Sequence, residues 1–368
     1  MRNGIIYSLA DMDEIYWPGE QSREKLPVIA PGLVDLQLNG FRGVDFNDKE
    51  LAVERIETVS QNLLGLGVTK YFPTLITGPP AKTSLIIKTI TGAFDQKIIA
   101  SQMIGGIHLE GPFISRENGP RGAHPVDFCL DPSIAMVKRW QEEAEGHIRI
   151  ITLAPELPGC EGLIKACVKL GMVVAIGHTS ANSEEIKMAV DAGATLATHL
   201  GNGCHGMLPR HPNVIWDQLS EDRLHASMIA DGFHLPDSVL KVFIRSKKER
   251  AILVSDGMPY TGMEPGIYNS PAAGNIRLTA EGKLHMEGSP GLLAGSASTI
   301  LEGVQKISGM EGLPFAWDMG SIHPSRLMNH AANHGLCVGA PADLVLLDQD
   351  MEELKIIKVY KGGIEWNP

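Results

Sequence analysis

At 368 residues and 43% apolar content, the chain can fill one large domain, or one large and one small, around a substantial core. Its net charge of −11, from 32 Lys+Arg against 43 Asp+Glu, and the lack of any basic run give no footprint for nucleic acid. No apolar run approaches the roughly 20 residues that span a bilayer, MRNGIIYSLADMDEIY lacks a signal-peptide core, and five cysteines without a C-x-x-C pair suit a reducing compartment; a cytoplasmic protein with no membrane partner is expected.

In chain order, the first apolar run is VIAPGLVDLQL (28–38), followed by KELAVERIETVSQNLLGLG, whose apolar residues at three- and four-residue spacing and closing Gly predict a helix. VTKYFPTLI (68–76) and MIGGIHLE (103–110) are the next strand candidates, the latter ending in Glu110. RIITLAPE (149–156) precedes VVAIGH (173–178), which ends in His178. In NSEEIKMAVDAG, Asn182 stands three residues before Glu185, the spacing of a capping box. ATLATH (194–199) ends in His199, ASMIADG (226–232) has His234 just beyond it, and AILVSD (251–256) ends in Asp256. Residues 258–290, with Gly and Pro around NIRLTAEGKLHM, read as a hairpin excursion placed to cover a site.

Eight β-rich runs alternating with helices predict parallel strands and an α/β fold: a (β/α)8 TIM barrel, with a doubly wound open sheet as the alternative. In a barrel the C-terminal strand ends meet on one face, so residues far apart in sequence become neighbours. Glu110, His178 and His199 then form a carboxylate and two imidazoles, a set suited to a catalytic Zn²⁺ with an open position; Fe²⁺ accepts the same ligands. Asp256 is the candidate to accept a proton from water and return it to a leaving group. His124, in RGAHP, is a candidate to polarise a carbonyl, although on motif alone it reads equally as a surface-loop histidine. In THLGNGCHGMLPRH, His199 is the ligand at the strand end, while Cys204 and His205 are not required by the site and His211 reads as a solvated loop residue.

The segments APGLVDLQLNG, GIHLEGPF, RGAH, IGHTSAN, THLGNG, ADGFH, VSDG and LLAGS, in this order, resemble the N-acetylglucosamine-6-phosphate deacetylase family of the amidohydrolase superfamily. The resemblance runs from about Pro31 to GAPADLVLLD. It implies a barrel over residues 31–335, with a small β-sandwich from the chain ends, 1–30 and 336–368, reduced because few residues precede the barrel. It implies hydrolysis of the N-acetyl group of N-acetylglucosamine 6-phosphate to acetate and glucosamine 6-phosphate, in amino-sugar catabolism. The galactosamine epimer, another N-acyl sugar, and a catalytically silent sugar-phosphate-binding barrel remain alternatives.

Position by position, the resemblance places metal ligands on Glu110, His178 and His199, the acid/base on Asp256 and the carbonyl-polarising histidine on His124. It places phosphate contacts on Arg210 and His234, the latter reaching a neighbouring subunit's site in a homodimer. Further substrate contacts fall on Ala123, Asn202, Gly203, Asp231, Gly232, Phe233, Leu293, Ala294 and Gly295. Where many amidohydrolases carry His-x-His this chain has Gln37-Leu38-Asn39, and neutral amides are poor transition-metal ligands. One divalent metal per subunit is therefore expected, with Gln37 and Asn39 lining the site. His108, sharing a strand face with Glu110, is expected to hydrogen-bond a ligand from behind.

Overall fold

In the computed structural model, residues 1–9, 26–270, 274–328, 335–348 and 354–366 are described. The expected end segments 1–30 and 336–368 therefore fall partly outside the described residues, at 10–25, 349–353 and 367–368.

The run 28–38 serves two sheets instead of one. β1 (Val28–Pro31) pairs away from the barrel, and β2 (Leu33–Leu38) is the barrel's first strand. Gly32 lies between them, where a Cβ would sit 2.0 Å from Thr69 Oγ1, so the crossing requires glycine. β3 (Gly40–Phe41) and β4 (Val44–Asp45) make a short ribbon beyond β2.

The remaining barrel strands are β5 (Val68–Ile76), β6 (Ile107–Glu110), β7 (Ile148–Leu153), β8 (Val173–Ile176), β9 (Leu196–Ala197), β10 (His225–Ile229) and β11 (Ala251–Val254). They run parallel in the order β11-β10-β9-β8-β7-β6-β5-β2. The ring closes where Asp256 N–H donates to Gln37 O (3.0 Å) and Asn39 N–H to Gly257 O (2.9 Å). All eight expected runs contribute a strand to this sheet, so the barrel, not the open sheet, is the fold.

Between strands run helices whose apolar faces repeat at 3.6 residues. Val53–Gly65 buries Ile56, Val59, Leu63 and Leu64 on one stripe, and the chain leaves it through Gly67 at φ 77°. Ser183–Asp191 opens with the expected capping box: Asn182 accepts from the Glu184 and Glu185 amides, and Glu185 accepts from the Asn182 amide. Inside the ring, Val34, Leu36, Phe72, Ile150, Ala175, Leu196, Ile229, Ile252 and Val254 form a packed apolar plug. Glu110, His178, His199 and Asp256 stand at the strand ends. Among the described residues no helix is long and apolar enough to cross a membrane.

The excursion after β11 is larger than a hairpin. β12 (Gly266–Ser270), β13 (Gly274–Leu278), β14 (Leu284–Met286) and β15 (Ser289–Leu293) form a four-stranded antiparallel sheet. Alternation in NIRL turns Ile276 and Leu278 inward with Leu284, and Arg277 outward onto Glu287. The chain then returns to the barrel, where Met258 N–H donates to Ser296 O.

At the other end of the molecule, β16 (Leu344–Leu347), β17 (Ile356–Lys361) and β18 (Ile364–Trp366) join β1 in the order β1-β16-β17-β18. Among the described residues these four strands form one antiparallel sheet drawn from both chain ends, the small domain expected beside the barrel. A buried ion pair, Lys361 Nζ to Asp343 Oδ2 at 2.6 Å, fixes it, and Asp343 O accepts the Gly32 amide at the junction with the barrel.

Candidate active site

Glu110 ends β6, His178 follows β8, His199 follows β9 and Asp256 follows β11, so parallel pairing brings all four to one mouth. Glu110 Oε1 lies 3.1 Å from His178 Nε2 and 3.0 Å from His199 Nε2, and the two Nε2 atoms are 3.1 Å apart. All three residues are buried and form the one candidate metal cluster found among the described residues. A tetrahedral ion with ligands at about 2.0–2.1 Å spaces them about 3.3–3.4 Å apart, close to what is seen.

The donor chemistry fits as well. His178 Nδ1 is 2.9 Å from Pro120 O, and a carbonyl only accepts, so Nδ1 carries a proton there and Nε2 is the nitrogen that faces the cluster. Burial pushes the Glu110 carboxyl up, but hydrogen bonds from His178 and His199 and their charge outweigh it and hold Glu110 well below the usual range. Burial lowers His199, and Glu110 more than reverses this.

Three of these residues share a backbone signature. His178 (φ 51°), His199 (φ 30°) and Asp256 (φ 47°) all occupy the left-handed region, which costs a non-glycine residue about 1–2 kcal/mol. Such strain persists where the surroundings over-determine it, commonly at functional sites. The His178 ring is flanked by two glycines: a Cβ at Gly203 (φ 56°) would lie 2.9 Å from its Nδ1, and one at Gly122 3.2 Å from its Cε1. Behind it, Glu156, beyond the end of β7, accepts from Thr179 Oγ1 (2.5 Å) and the Ser180 amide (2.8 Å), holding the loop.

Gln37 and Asn39 both reach the site. Asn39 Nδ2 donates to Asp256 Oδ1 (2.8 Å), and Gln37 Nε2 donates to Asp256 Oδ1 (3.1 Å) and Glu110 Oε1 (2.9 Å). These amides serve as donors to carboxylates. Burial, reinforced by the Glu110 charge, pushes Asp256 up to about 6.

His124 also arrives here, buried, with Nε2 3.3 Å from His178 Nε2. Burial and the neighbouring imidazoles push it down to about 3, so it stands neutral. Ala123, beside it, is exposed.

Of the expected substrate contacts, Asn202 and Gly203 sit on the loop leaving His199, with Asn202 Nδ2 donating to His199 O (3.2 Å). Asp231 caps its own turn, accepting the Phe233 and His234 amides, and its Oδ2 is 2.6 Å from His234 Nδ1. The His234 side chain is only 10% exposed, and its charge lowers Asp256 of the same chain. Asp231, three residues back, thus fixes the orientation of the His234 ring. Arg210 is exposed, and its guanidinium has no partner among the described residues. Leu293, Ala294 and Gly295 lie where the excursion rejoins the barrel, and a Cβ at Gly295 would strike Met258 Cγ at 2.5 Å.

Two further points differ from the sequence reading or complete it. His108 bonds Leu36 O (3.0 Å) and Thr152 Oγ1 (2.8 Å) in the barrel interior, not a ligand, because its ring spans between strands. Cys204 and His205 stay off the three-residue cluster: Cys204 Sγ donates to Gly201 O, and His205 Nε2 pairs with Glu117 at 3.1 Å. Sequence reasoning missed Pro120, Gly122, Glu156, Asp35 and Ser255; only Asp35, an acid inside the apolar run LVDLQL, carried a visible signal.

An eight-stranded barrel carrying Glu, His, His and Asp at its C-terminal strand ends defines a TIM-barrel hydrolase with a site able to hold a metal. The sequence pattern of the Amidohydrolase family matches residues 28–364. The chain is 33% identical to an N-acetylglucosamine-6-phosphate deacetylase of Bos taurus, over 91% of this chain and 82% of that protein. It is 30% identical to one of Bacillus subtilis (strain 168), over 92% and 84%. Among solved structures, an N-acetyl-D-glucosamine-6-phosphate deacetylase variant from Mycobacterium smegmatis, in complex with N-acetyl-D-glucosamine-6-phosphate, superposes with a TM-score of 0.83 at 28% identity, covering 92% of this chain and 87% of that one. The chain belongs to the amidohydrolase family.

Proposed function

We propose that this enzyme hydrolyses the N-acetyl group of N-acetylglucosamine 6-phosphate, releasing acetate and glucosamine 6-phosphate. The observation that carries the reading is the convergence of Glu110, His178 and His199 within 3.1 Å, with Asp256 beside them, in a chain whose relatives bear that deacetylase name.

Glu110, His178 and His199 would hold one divalent ion, Zn²⁺ or Fe²⁺. When bound, it supplies the Lewis acidity that makes hydroxide available near neutral pH. Asp256 takes the proton of the attacking water and returns it to the departing amine. Its Oδ1 is occupied by Asn39 and Gln37, which leaves Oδ2 for that proton. His124 donates a hydrogen bond to the N-acetyl carbonyl oxygen as charge builds there.

In this acidic chain the phosphate needs individually placed cations. His234 supplies one within its own subunit. Exposed Arg210 supplies the other, and in a homodimer it is the residue free to cross to the second copy's site. Asn202, Gly203 and the 293–295 segment line the sugar. Amino-sugar catabolism in the cytoplasm suits an enzyme whose five cysteines are all unpaired.

The test is acetate release from N-acetylglucosamine 6-phosphate, its galactosamine epimer and unphosphorylated N-acetylglucosamine. The 6-phosphate of the gluco epimer should be preferred, and Asp256→Asn should lose about 10²–10⁴-fold in kcat while keeping its metal. Equal turnover with and without phosphate would remove Arg210 and His234 from substrate binding. A fully active Asp256→Asn would remove Asp256 from the mechanism.

A further inference from the structure

A buried carboxyl group lies just beneath the site. Asp35, in the middle of β2, is 2% exposed, and among the described residues it forms no ion pair. Its Oδ2 accepts from Ser255 Oγ at 2.5 Å, and its Oδ1 accepts from the backbone amides of Ser255 (3.2 Å) and Gln37 (3.3 Å). Ser255 Oγ in turn accepts the Gly257 amide at 3.1 Å.

Each of these partners adjoins Asp256 or holds it. Ser255 and Gly257 are its two chain neighbours. Gln37 accepts the Asp256 amide on its carbonyl and donates from its side chain to Asp256 Oδ1. At the seam between the first and last barrel strands Leu38 bridges Gly257, and on its other edge β2 shifts register against β5 between Asp35 and Leu38, so the regular ladder is interrupted beside the segment that holds Asp256. Asp256 also holds a left-handed backbone, which needs its surroundings to impose it.

We infer that Asp35 and Ser255 form a buried positioning pair that fixes Asp256 in its working geometry, an inference that rests on the reading of Asp256 as the acid/base. Neither residue touches the reacting atoms; both act through the backbone on either side of Asp256 and through Gln37. Burying a carboxyl without a cation is costly. The cost is visible in Asp35 itself, which burial pushes up to about 7. An apolar side chain at position 35 would avoid that cost but take the acceptor from the Ser255 and Gln37 amides and leave the Ser255 hydroxyl only its longer bond to Gln37 O (3.3 Å).

The experiment compares Asp35→Asn, Ser255→Ala, Ser255→Thr, the double variant Asp35→Asn/Ser255→Ala, and Asp256→Asn. Each is measured for kcat, KM, bound metal and melting temperature. The metal-free proteins are also compared by hydrogen exchange at the Gln37, Asp256 and Gly257 amides. Asp35→Asn and Ser255→Ala should lower kcat about 10- to 100-fold, the scale of a small misplacement, with KM and bound metal nearly unchanged. Ser255→Thr, which keeps the hydroxyl, should recover most of the loss, and the double variant should be no worse than the poorer single one. Exchange should quicken at those three amides while the rest of the barrel keeps its protection.

Wild-type kcat in both single variants, a loss tracking only metal or folded fraction, or unchanged exchange would overturn the pair's role. With Asp256→Asn inactive, such a result sinks the positioning inference alone. An active Asp256→Asn sinks the acid/base reading, and the inference with it.

Discussion

A ring pressed between two glycines is an exacting way to hold a ligand. His178 depends on Gly122 and Gly203 for room on its flanks and on Pro120 O for its tautomer. Gly203→Ala is expected to push the ring off its line to Glu110 and to add left-handed strain of about 1–2 kcal/mol. Chelator competition should show weaker metal binding, and a denaturant titration a lower stability. At this scale the strand-end residues were legible because parallel strands deliver their C-terminal ends to one place whatever the intervening sequence. The direction of a ring was not. His234 follows Asp231, its local partner, and His108 follows Leu36 O and Thr152 Oγ1 on neighbouring strands. The partners of His108 cannot be assigned before the fold sets who is adjacent.

The helix Ser183–Asp191 shows an element whose start was fully encoded locally. Asn182 and Glu185 satisfy each other's end of the first turn. Asn182→Ala should lower unfolding free energy by about 1 kcal/mol without changing metal stoichiometry, since the helix begins five residues beyond His178. Elements defined by tertiary context were harder to read. VIAPGLVDLQL is one apolar run in sequence, and only a steric limit at Gly32 divides it between two sheets. The 258–290 excursion contains strands beyond the pair NIRLTAEGKLHM signals, because β12 and β15 are largely exposed and carry little hydrophobic pattern. The small end sheet was expected from resemblance, and its pairing of β1 with β16 joins segments more than 300 residues apart, beyond any local signal.

For the molecule as a whole, the bound ion is expected to be both cofactor and brace. Chelation should abolish acetate release, and one equivalent of Zn²⁺ or Fe²⁺ per subunit should restore it. The melting temperature should rise with free metal, reflecting about 2.7 kcal/mol at a hundred times the dissociation constant. A requirement for two equivalents would overturn the single-ion site, and with it the reading of Gln37 and Asn39 as donors to carboxylates. The barrel, its eight runs and its four chemical residues were open to the sequence because hydrophobic rhythm and polar strand ends are local facts. The buried lock of Asp35 and Ser255 was not, since it exists only once the ring has closed. That closure sets an order in time. β2 is synthesised early, yet its seam partner β11 follows by roughly 10 to 45 s at about 5–20 residues per second, and the partner of β1 comes later still. The strand that carries Gln37 and leads into Asn39 must therefore wait on the ribosome with one edge unpaired, making this nascent chain a natural client for whatever shields exposed β-edges during translation.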